Sequence, residues 1–335
     1  MLGRYFDAID KRIERMAGGP VGFDILFDGH RIRMHFASEA DKNAALPSFI
    51  GATAPGEGIP DAHLTCWRDD IAPYIPEGMG TAEGDAGLSV VKEAGMLHIR
   101  PGGTLRGADY RTNRYYLCAI DGGNKPLFGD AHDMLNVLAM WAKQNGYLLL
   151  HGAAVGAGGK GVLLSGKGGA GKSTLAVACL LSGLDFVSDD YFFVKTENGV
   201  PVSLPLWRNI GLNPDSEARL HPPELPVVRT YPERGNKRFF DVSAWMRTER
   251  LPVRALVLPE ISDAEHPAIE PCPSGPAITR MVFSTARQLW IMDPKEISRM
   301  ATVFAGLPAY RMLLCKDVYE NARALGAFIA EGVTP

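Results

Sequence analysis

The sequence lacks the cysteine pairs of a zinc site or a disulfide framework. It contains five cysteines in 335 residues, and they are scattered, odd in number and without a C-x-x-C pair. Neither a zinc site nor a set of structural disulfides is therefore expected. We expect reduced, mostly packed thiols at Cys66, Cys118, Cys179, Cys272 and Cys315.

Long apolar runs and an excess of positive charge are also missing. Residues 1–16 mix apolar with charged side chains and lack the apolar core of a signal peptide, and no later run approaches the length of a membrane span. The formal net charge is -3, whereas non-specific nucleic-acid binding needs clustered Lys and Arg. We therefore expect a cytoplasmic protein with neither a nucleic-acid nor a membrane partner.

The chain is long enough for two domains, and residues 1–130 predict a β-rich first domain. Residues 23–36 alternate around Asp28-Gly29, a dipeptide suited to a two-residue hairpin. Apolar residues at helical spacing within 6–16 predict a helix packed on this domain. Further strands are predicted at 63–67, 88–92, 96–99 and 114–120, with no helix-strand alternation of the parallel kind.

Residues 131–335 predict a second domain. A helix is predicted at 132–145 as the bridge into it, followed by a strand at 147–155 that turns directly into a second apolar strand. Another buried strand, at 184–194, is interrupted at Ser188-Asp189-Asp190. Further strands are predicted at 239–242, 255–258, 288–292 and 310–314, and helices at 295–304 and 318–330, the last with Asp317 as N-cap.

The segment from Gly161 to Thr174 is the most informative part of the chain. Residues 166–173 fit the pattern G-x-x-x-x-G-K-[ST], the Walker A loop, whose backbone N–H groups surround phosphates. A strand is predicted at 162–164 and a helix at 172–182, so the helix N-terminus points at the bound anion. The predicted nucleotide-binding residues are Gly166, Lys167, Gly168, Gly169, Ala170, Gly171, Lys172, Ser173 and Thr174.

Side chains in and around this loop supply candidate chemistry. In the loop pattern, Lys172 reaches the outer phosphates and Ser173 binds Mg²⁺. Asp189 and Asp190 follow one short strand after the loop helix, where one carboxylate can hold Mg²⁺ and the other can accept a proton from an attacking hydroxyl. A solvated turn is the alternative for this pair, and the residues alone do not say which aspartate is the base. His151 is either a hydrogen-bonded core residue or part of the site.

Three segments together resemble the nucleotide site of the HPr kinase/phosphorylase family and its HPr-kinase-like relatives. They are His151-Gly-Ala-Ala-Val, the segment from Gly161 to Thr174, and Phe186-Val-Ser-Asp-Asp-Tyr, in this order and spacing. The resemblance covers residues 132–195, with weaker likeness at 237–242 and 307–314. It implies an α/β fold in which a P-loop domain of the phosphoenolpyruvate-carboxykinase-like type follows a smaller, β-rich α+β domain.

The resemblance also implies roles by position. It implies that Asp189 is the general base, that Asp190 and Ser173 lie around Mg²⁺, that Lys172 contacts the β- and γ-phosphates, and that His151 belongs to the active site. Two departures argue against phosphorylase activity and against recognition of HPr. Thr174 stands where the bifunctional enzymes have Glu, and their Arg-Gly-rich segment after the acidic pair is not found. The resemblance therefore implies a divergent member, and some such members modify peptides or other hydroxyl acceptors in bacterial gene clusters.

These observations predict an ATP- and Mg²⁺-dependent, serine-kinase-like phosphotransferase with an alcohol group as acceptor. Lys237 and Arg238 are expected to stabilise the transferring phosphoryl group, with Arg208 and Arg280 as alternatives. An ATP-binding regulatory module without phosphotransfer is a second hypothesis. A carboxykinase acting on oxaloacetate, which would need additional metal ligands, is a third. The sequence leaves open whether the acceptor is a peptide, a protein or a small molecule, and whether the chain forms a homo-oligomer.

Overall fold

The computed structural model describes residues 2–15, 20–56, 58–70, 74, 88–92, 94–100, 104–119, 131–289 and 292–333. Two compact units are present, Met1–Asn145 and Gly146–Pro335. Both combine helices with sheets, so the chain has a mixed α/β fold. No helix within the described ranges has both the length and the apolar character needed to cross a membrane. All five cysteines are free, and four of them are buried.

The first unit is built around one sheet. Its described elements are α1 (Leu2–Ile13), β1 (Val21–Phe27), β2 (His30–Phe36), α2 (Glu39–Ala45), a 3-10 helix (Leu46–Phe49), β3 (Thr53–Ala54), β4 (Ala62–Arg68), β5 (Leu88–Lys92), β6 (Gly95–Arg100), β7 (Thr104–Asp109), β8 (Arg114–Ala119) and α3 (Ala131–Gln144). The strands lie in the order β3-β1-β2-β4-β8-β7-β6-β5. The predicted hairpin is confirmed: β1 and β2 pair antiparallel, and Asp28 and Gly29 both have the positive φ that such a turn requires.

The expectation that this unit contains no parallel helix-strand alternation is wrong. Strand β2 pairs in parallel with β4 across the crossover that contains α2, and β4 also pairs in parallel with β8. Helix α2 has only seven residues, too few to show a clear apolar period. A capping hydrogen bond defines its start, because the Asp41 N–H donates to the Ser38 hydroxyl at 3.1 Å.

Helix α3 packs against the sheet of the first unit. The Trp141 ring centroid lies 6.0 Å from that of Phe27 and 5.6 Å from that of His30. Met134 and Leu138, on the same face, are fully buried. The helix predicted to bridge into the second domain is therefore the last element of the first unit, and the units divide after residue 145 instead of 130.

The second unit carries the glycine-rich loop. Its described elements are β9 (Leu148–His151), β10 (Ala153–Ala157), β11 (Lys160–Leu164), α4 (Lys172–Leu181), β12 (Asp185–Ser188), β13 (Tyr191–Glu197), β14 (Val200–Pro205), β15 (Asn209–Leu212), α5 (Pro214–Leu220), β16 (Val227–Tyr231), a 3-10 helix (Pro232–Arg234), β17 (Lys237–Asp241), β18 (Leu251–Ile261), β19 (Ala268–Cys272), α6 (Ser274–Ala286), α7 (Pro294–Phe304), β20 (Ala309–Leu314) and α8 (Val318–Glu331). Gln288 and Leu289, within the strand predicted at 288–292, are not in a strand, and residues 290–291 lie outside the described residues.

Two sheets of this unit share the long strand β18. One has the order β12-β10-β11-β18-β20-β19, with β11 and β20 parallel to β18. The other begins where Leu251 and Pro252 of β18 pair with β14, and continues through β13 to β9. Side chains of β11 alternate between two apolar clusters, because Val162 packs with residues of α4 and α8 and Leu163 packs with residues of α6 and α7. Helices therefore cover both faces of the loop-bearing sheet.

The single strand predicted at 147–155 is two strands, which break at Gly152. A Cβ at Gly152 would lie 2.6 Å from the carbonyl oxygen of Leu164, so only glycine fits this crossing. Strand β9 joins β13 in one sheet, whereas β10 forms the predicted hairpin with β11 in the other. The chain crosses between the sheets again at Asp189-Asp190, and the Gly152 N–H donates to the Asp190 carbonyl at 3.0 Å. The two crossings therefore lie side by side.

Candidate active site

The glycine-rich loop connects β11 to α4, as the sequence predicts. Gly166, Gly169 and Gly171 have φ values of 152°, 77° and 91°, a backbone region that favours glycine. Gly171 is the N-cap of α4, and a Cβ there would lie 2.7 Å from Leu314 Cδ1. The loop lies at the N-terminus of α4, which is the positive end of the helix dipole and an arrangement suited to an anion.

Lys172 is held over the loop. The residue is 9% exposed, and its Nζ donates to the carbonyl oxygens of Gly166 at 3.0 Å and Lys167 at 3.1 Å. Burial lowers the pKa of Lys172, while the charges of Asp189 and Asp190 oppose this effect. The ammonium group therefore lies within electrostatic reach of both the loop and the acidic pair.

Asp189 is nearly fully buried at the end of β12. Burial first, and then the charge of Asp190, raise the pKa of Asp189 to about 6, whereas a hydrogen bond with Ser173 and the charge of Lys237 act in the opposite direction. A carboxylate with a raised pKa is a better proton acceptor near neutral pH. The contact with Ser173 also places this carboxylate beside the predicted Mg²⁺ ligand.

The adjacent sheet crossings bring Asp190 and His151 together. Asp190 has a φ of 72°, and its Oδ1 lies 3.4 Å from His151 Nε2. On the other side of the ring, His151 Nδ1 lies 2.8 Å from Ser284 Oγ, and the His151 backbone N–H donates to Thr285 Oγ1 at 3.1 Å. These contacts fix the imidazole between α6 and the acidic pair, at the site instead of in the core.

One cleft of about 1210 Å³ contains these groups. Its walls are the loop, the acidic pair, His151, the end of β18 and one face of α6 with the residues that follow it. This helix is not among the elements predicted from the sequence, and Gly275-Pro276 near its start is a dipeptide typical of a loop. The signal was nevertheless present, since cleft residues recur at the helical spacing i, i+3, i+4 and i+7. These residues are Arg280, Phe283, Ser284 and Arg287.

Lys237 and Arg238, the cations predicted to stabilise the phosphoryl group, do not line this cleft. Lys237 lies over the Phe239 ring with its Nζ 5.0 Å from the centroid, but its charge still acts on Asp189. Arg238 donates to Glu217 Oε1 at 2.7 Å. Of the two, Lys237 is thus the one with an electrostatic connection to the acidic pair.

The two alternative arginines differ in placement. Arg208 forms an ion pair with Glu249 at 2.6 Å and does not line the cleft. Arg280 lines the cleft, with its nearest guanidinium nitrogen 4.0 Å from Glu260 Oε1. Arg280 is therefore better placed than Arg208 to meet a group bound in the cleft.

A smaller cleft of about 260 Å³ also adjoins the loop. Its walls come from α4, α5, β20 and α8, and loop residues 169, 172 and 173 border both clefts. The Thr174 hydroxyl lies 3.1 Å from that of Ser216, which connects the start of α4 to α5. A phosphate chain held by the loop can therefore have one end in each cleft.

The side chains around the loop fit a phosphate chain with Mg²⁺. Within the described residues, no group of three or more His, Cys, Asp and Glu is arranged to hold a metal alone. Mg²⁺, however, commonly takes one or two protein oxygens together with phosphate oxygens and water. The Ser173 hydroxyl and the carboxylates of Asp189 and Asp190 can supply oxygen ligands of this kind.

No protein-family model matches the chain. No curated protein matches it either. Among solved structures, the chain is similar to one described as the Hpr(Ser) kinase/phosphatase from Coxiella burnetii, at 14% sequence identity and a TM-score of 0.26, over 53% of this chain and 97% of that chain. Its description names the family that the loop motifs resemble, but these values are too low to assign this chain to a family.

Proposed function

We propose that the chain is an ATP- and Mg²⁺-dependent kinase that transfers the γ-phosphoryl group to the hydroxyl of a serine in a peptide, a protein or a small molecule. The observation that carries this proposal is the cleft that the loop, Lys172, Asp189 and His151 line together. A phosphate-binding loop alone would suit any nucleotide-binding protein. The buried carboxylate beside it supplies the proton acceptor that transfer to a hydroxyl requires.

The positions of the two clefts favour one orientation of the nucleotide in the loop. In a loop of this kind, backbone amides hold the inner phosphates and the lysine reaches the outer ones. The smaller cleft beside Thr174 would then hold the nucleoside, and the γ-phosphoryl group would face the larger cleft and Asp189. Ser173 and Asp190 would hold Mg²⁺, which supplies positive charge beside the phosphates when bound.

Asp189 would act as the base in a single in-line step. It takes the proton of the acceptor hydroxyl, the hydroxyl oxygen forms a bond to the γ-phosphorus, and the bond from that phosphorus to the bridging oxygen of ADP breaks. Lys172 would stabilise the charge on the phosphate oxygens, and His151 would position Asp190. Catalysis then consists chiefly of positioning and charge stabilisation.

Transfer of label from γ-labelled ATP to a library of serine peptides tests this proposal. Lys172→Ala should abolish transfer because it removes the phosphate contact, and Asp189→Asn should abolish it because it removes the proton acceptor. Asp189→Asn should still bind a fluorescent ATP analogue. Asp263→Asn is the matched control, since this exposed aspartate lies outside both clefts.

Each other outcome has a definite meaning. Near-normal transfer by Asp189→Asn would refute its role as the base. If that variant loses Mg²⁺-dependent ATP binding, Asp189 binds the metal together with Ser173, and Asp190 becomes the candidate base. If the wild type binds ATP but labels neither these peptides nor any protein or small molecule of a bacterial lysate, the chain is a regulatory module and not a kinase.

A further inference from the structure

The exposed face of α6 presents a charged and apolar surface to the larger cleft. Arg280, Phe283 and Arg287 lie along it at helical spacing, and all three are exposed. The opposite face of the helix packs into the core through Ala277 and Met281. The exposed stripe is thus not needed to bury the helix, and none of its three side chains has a role in the proposed phosphoryl transfer.

The charges on this stripe are largely uncompensated. Among the described residues, Arg280 forms an ion pair with Glu260, at 4.0 Å, the outer limit of such a pair. Arg287 has no ion pair or side-chain hydrogen bond with any residue that the structure describes. The Cα atoms of two residues seven positions apart on a helix are separated by about 10 Å along its axis. An anionic ligand with charges at this separation would complement both.

Apolar surface lies beside these arginines. Phe283 is 59% exposed and Ile261, which also lines the cleft, is 65% exposed. These are two of the six large apolar residues that are exposed in the described part of the chain, and the cleft contains both of them. An aromatic side chain next to arginines is typical of the anchor points at protein interfaces.

We propose that this surface, which we call the α6 stripe, binds an acidic peptide segment that carries the acceptor serine. Two carboxylates of the segment would pair with Arg280 and Arg287, and an apolar side chain between them would pack on Phe283 and Ile261. An extended peptide rises about 3.3 Å per residue and its side chains alternate between two faces. The two acidic residues would therefore be four positions apart, about 13 Å, with the apolar residue midway on the same face. The cleft volume of about 1210 Å³ exceeds the about 300–1,000 Å³ typical of small-molecule sites, which favours a peptide.

This inference deepens the proposed kinase function and rests on it for the identity of the acceptor. The experiment compares short peptides with a central serine, one apolar neighbour and flanking Asp, Ala or Lys residues. The wild type should phosphorylate the Asp peptides with a kcat/KM about tenfold above that of the Ala peptides, mainly through a lower KM. The Lys peptides should be the poorest acceptors.

Reversing the charge of one arginine tests whether the α6 stripe determines the peptide preference. Arg287→Glu should lower kcat/KM for the Asp peptides about tenfold and raise it for the Lys peptides, a change of preference that misfolding would not produce. Arg254→Glu is the matched control, because Arg254 is an exposed arginine of the same unit outside the cleft. Binding of the fluorescent ATP analogue should be unchanged in both variants.

Anisotropy of a fluorescein-labelled Asp peptide gives a readout that does not depend on transfer. If the wild type phosphorylates no peptide but binds the Asp peptide, and Arg287→Glu abolishes this binding, the kinase proposal fails and the α6 stripe stands. If peptides are phosphorylated without acidic preference and Arg287→Glu behaves like Arg254→Glu, the kinase stands and the stripe proposal is overturned. If the wild type neither phosphorylates nor binds any of the peptides, both proposals are overturned.

Discussion

Replacing Asp189 by Asn should stabilise the folded protein above pH 6 while removing the proposed base. The fold raises the pKa of Asp189 from 3.8 to about 6. One pKa unit corresponds to about 1.36 kcal/mol, so keeping this carboxylate ionised reduces the free energy of unfolding by about 3 kcal/mol at pH 7. Asn stays neutral, has a similar shape and can still hydrogen-bond to Ser173. The variant should therefore recover most of this free energy.

The sign of the pH dependence follows from where the proton is held. Below pH 3.8, Asp189 is protonated in both the folded and the unfolded chain, and its burial carries no charge penalty. As the pH rises from 3.8 to 6, the unfolded chain releases the proton first, so the wild type loses stability relative to Asp189→Asn. The difference should be complete just above pH 6 and constant beyond it.

Urea unfolding of both proteins at several pH values between 4 and 8 measures this difference. Titrations of groups that do not interact with Asp189 cancel in the comparison, because the two proteins differ at one position. Asp263→Asn, which replaces an exposed aspartate, should leave the profile unchanged. Equal stability of the wild type and Asp189→Asn across this range would refute the conclusion that burial destabilises the Asp189 carboxylate.

Two further predictions concern packing. Gly171→Ala should reduce the free energy of unfolding by about 3 kcal/mol, because the new Cβ combines a positive φ with a 2.7 Å approach to Leu314. Gly169→Ala, with a positive φ but open space, should cost only about 1 kcal/mol, and equal costs in urea titrations would exclude the clash. In the first unit, Phe6→Ala should cost about 4 kcal/mol, because the buried Phe6 ring stacks on Tyr116 at 5.0 Å. Phe6→Leu should cost less than half of this, and a negligible effect of Phe6→Ala on thermal unfolding would show that α1 is dispensable.

The glycine-rich loop could be predicted because its determinants are local. The strand, the glycines and the helix from Lys172 to Leu181 are consecutive in the chain, and the structure has them in the predicted order. The interruption of the strand at Asp189-Asp190 could also be predicted, since burying an acidic pair inside an apolar strand is energetically costly. In both cases a short stretch of sequence determines the local conformation.

The cleft wall opposite the loop could not be predicted, because it depends on contacts distant in sequence. His151 and Ser284 are separated by 133 positions, and the sequence around either residue gives no indication of its contact with the other. The break at Gly152 was hidden for the same reason: the clash that enforces glycine comes from the Leu164 carbonyl, on the next strand of the hairpin. Apolar runs on both sides of Gly152 therefore predicted one strand where the fold has two.

The strand β18 has a mechanical consequence for the site. His151 is anchored in the sheet that begins at Leu251, whereas the glycine-rich loop extends from the sheet that contains the rest of β18. The relative orientation of these two sheets therefore determines the distance between His151 and the loop. Gly161, where a Cβ would lie 2.6 Å from Leu251 Cγ, lies at this junction and borders neither cleft. A larger residue there would change the position of His151 relative to the loop without removing any side chain that lines either cleft.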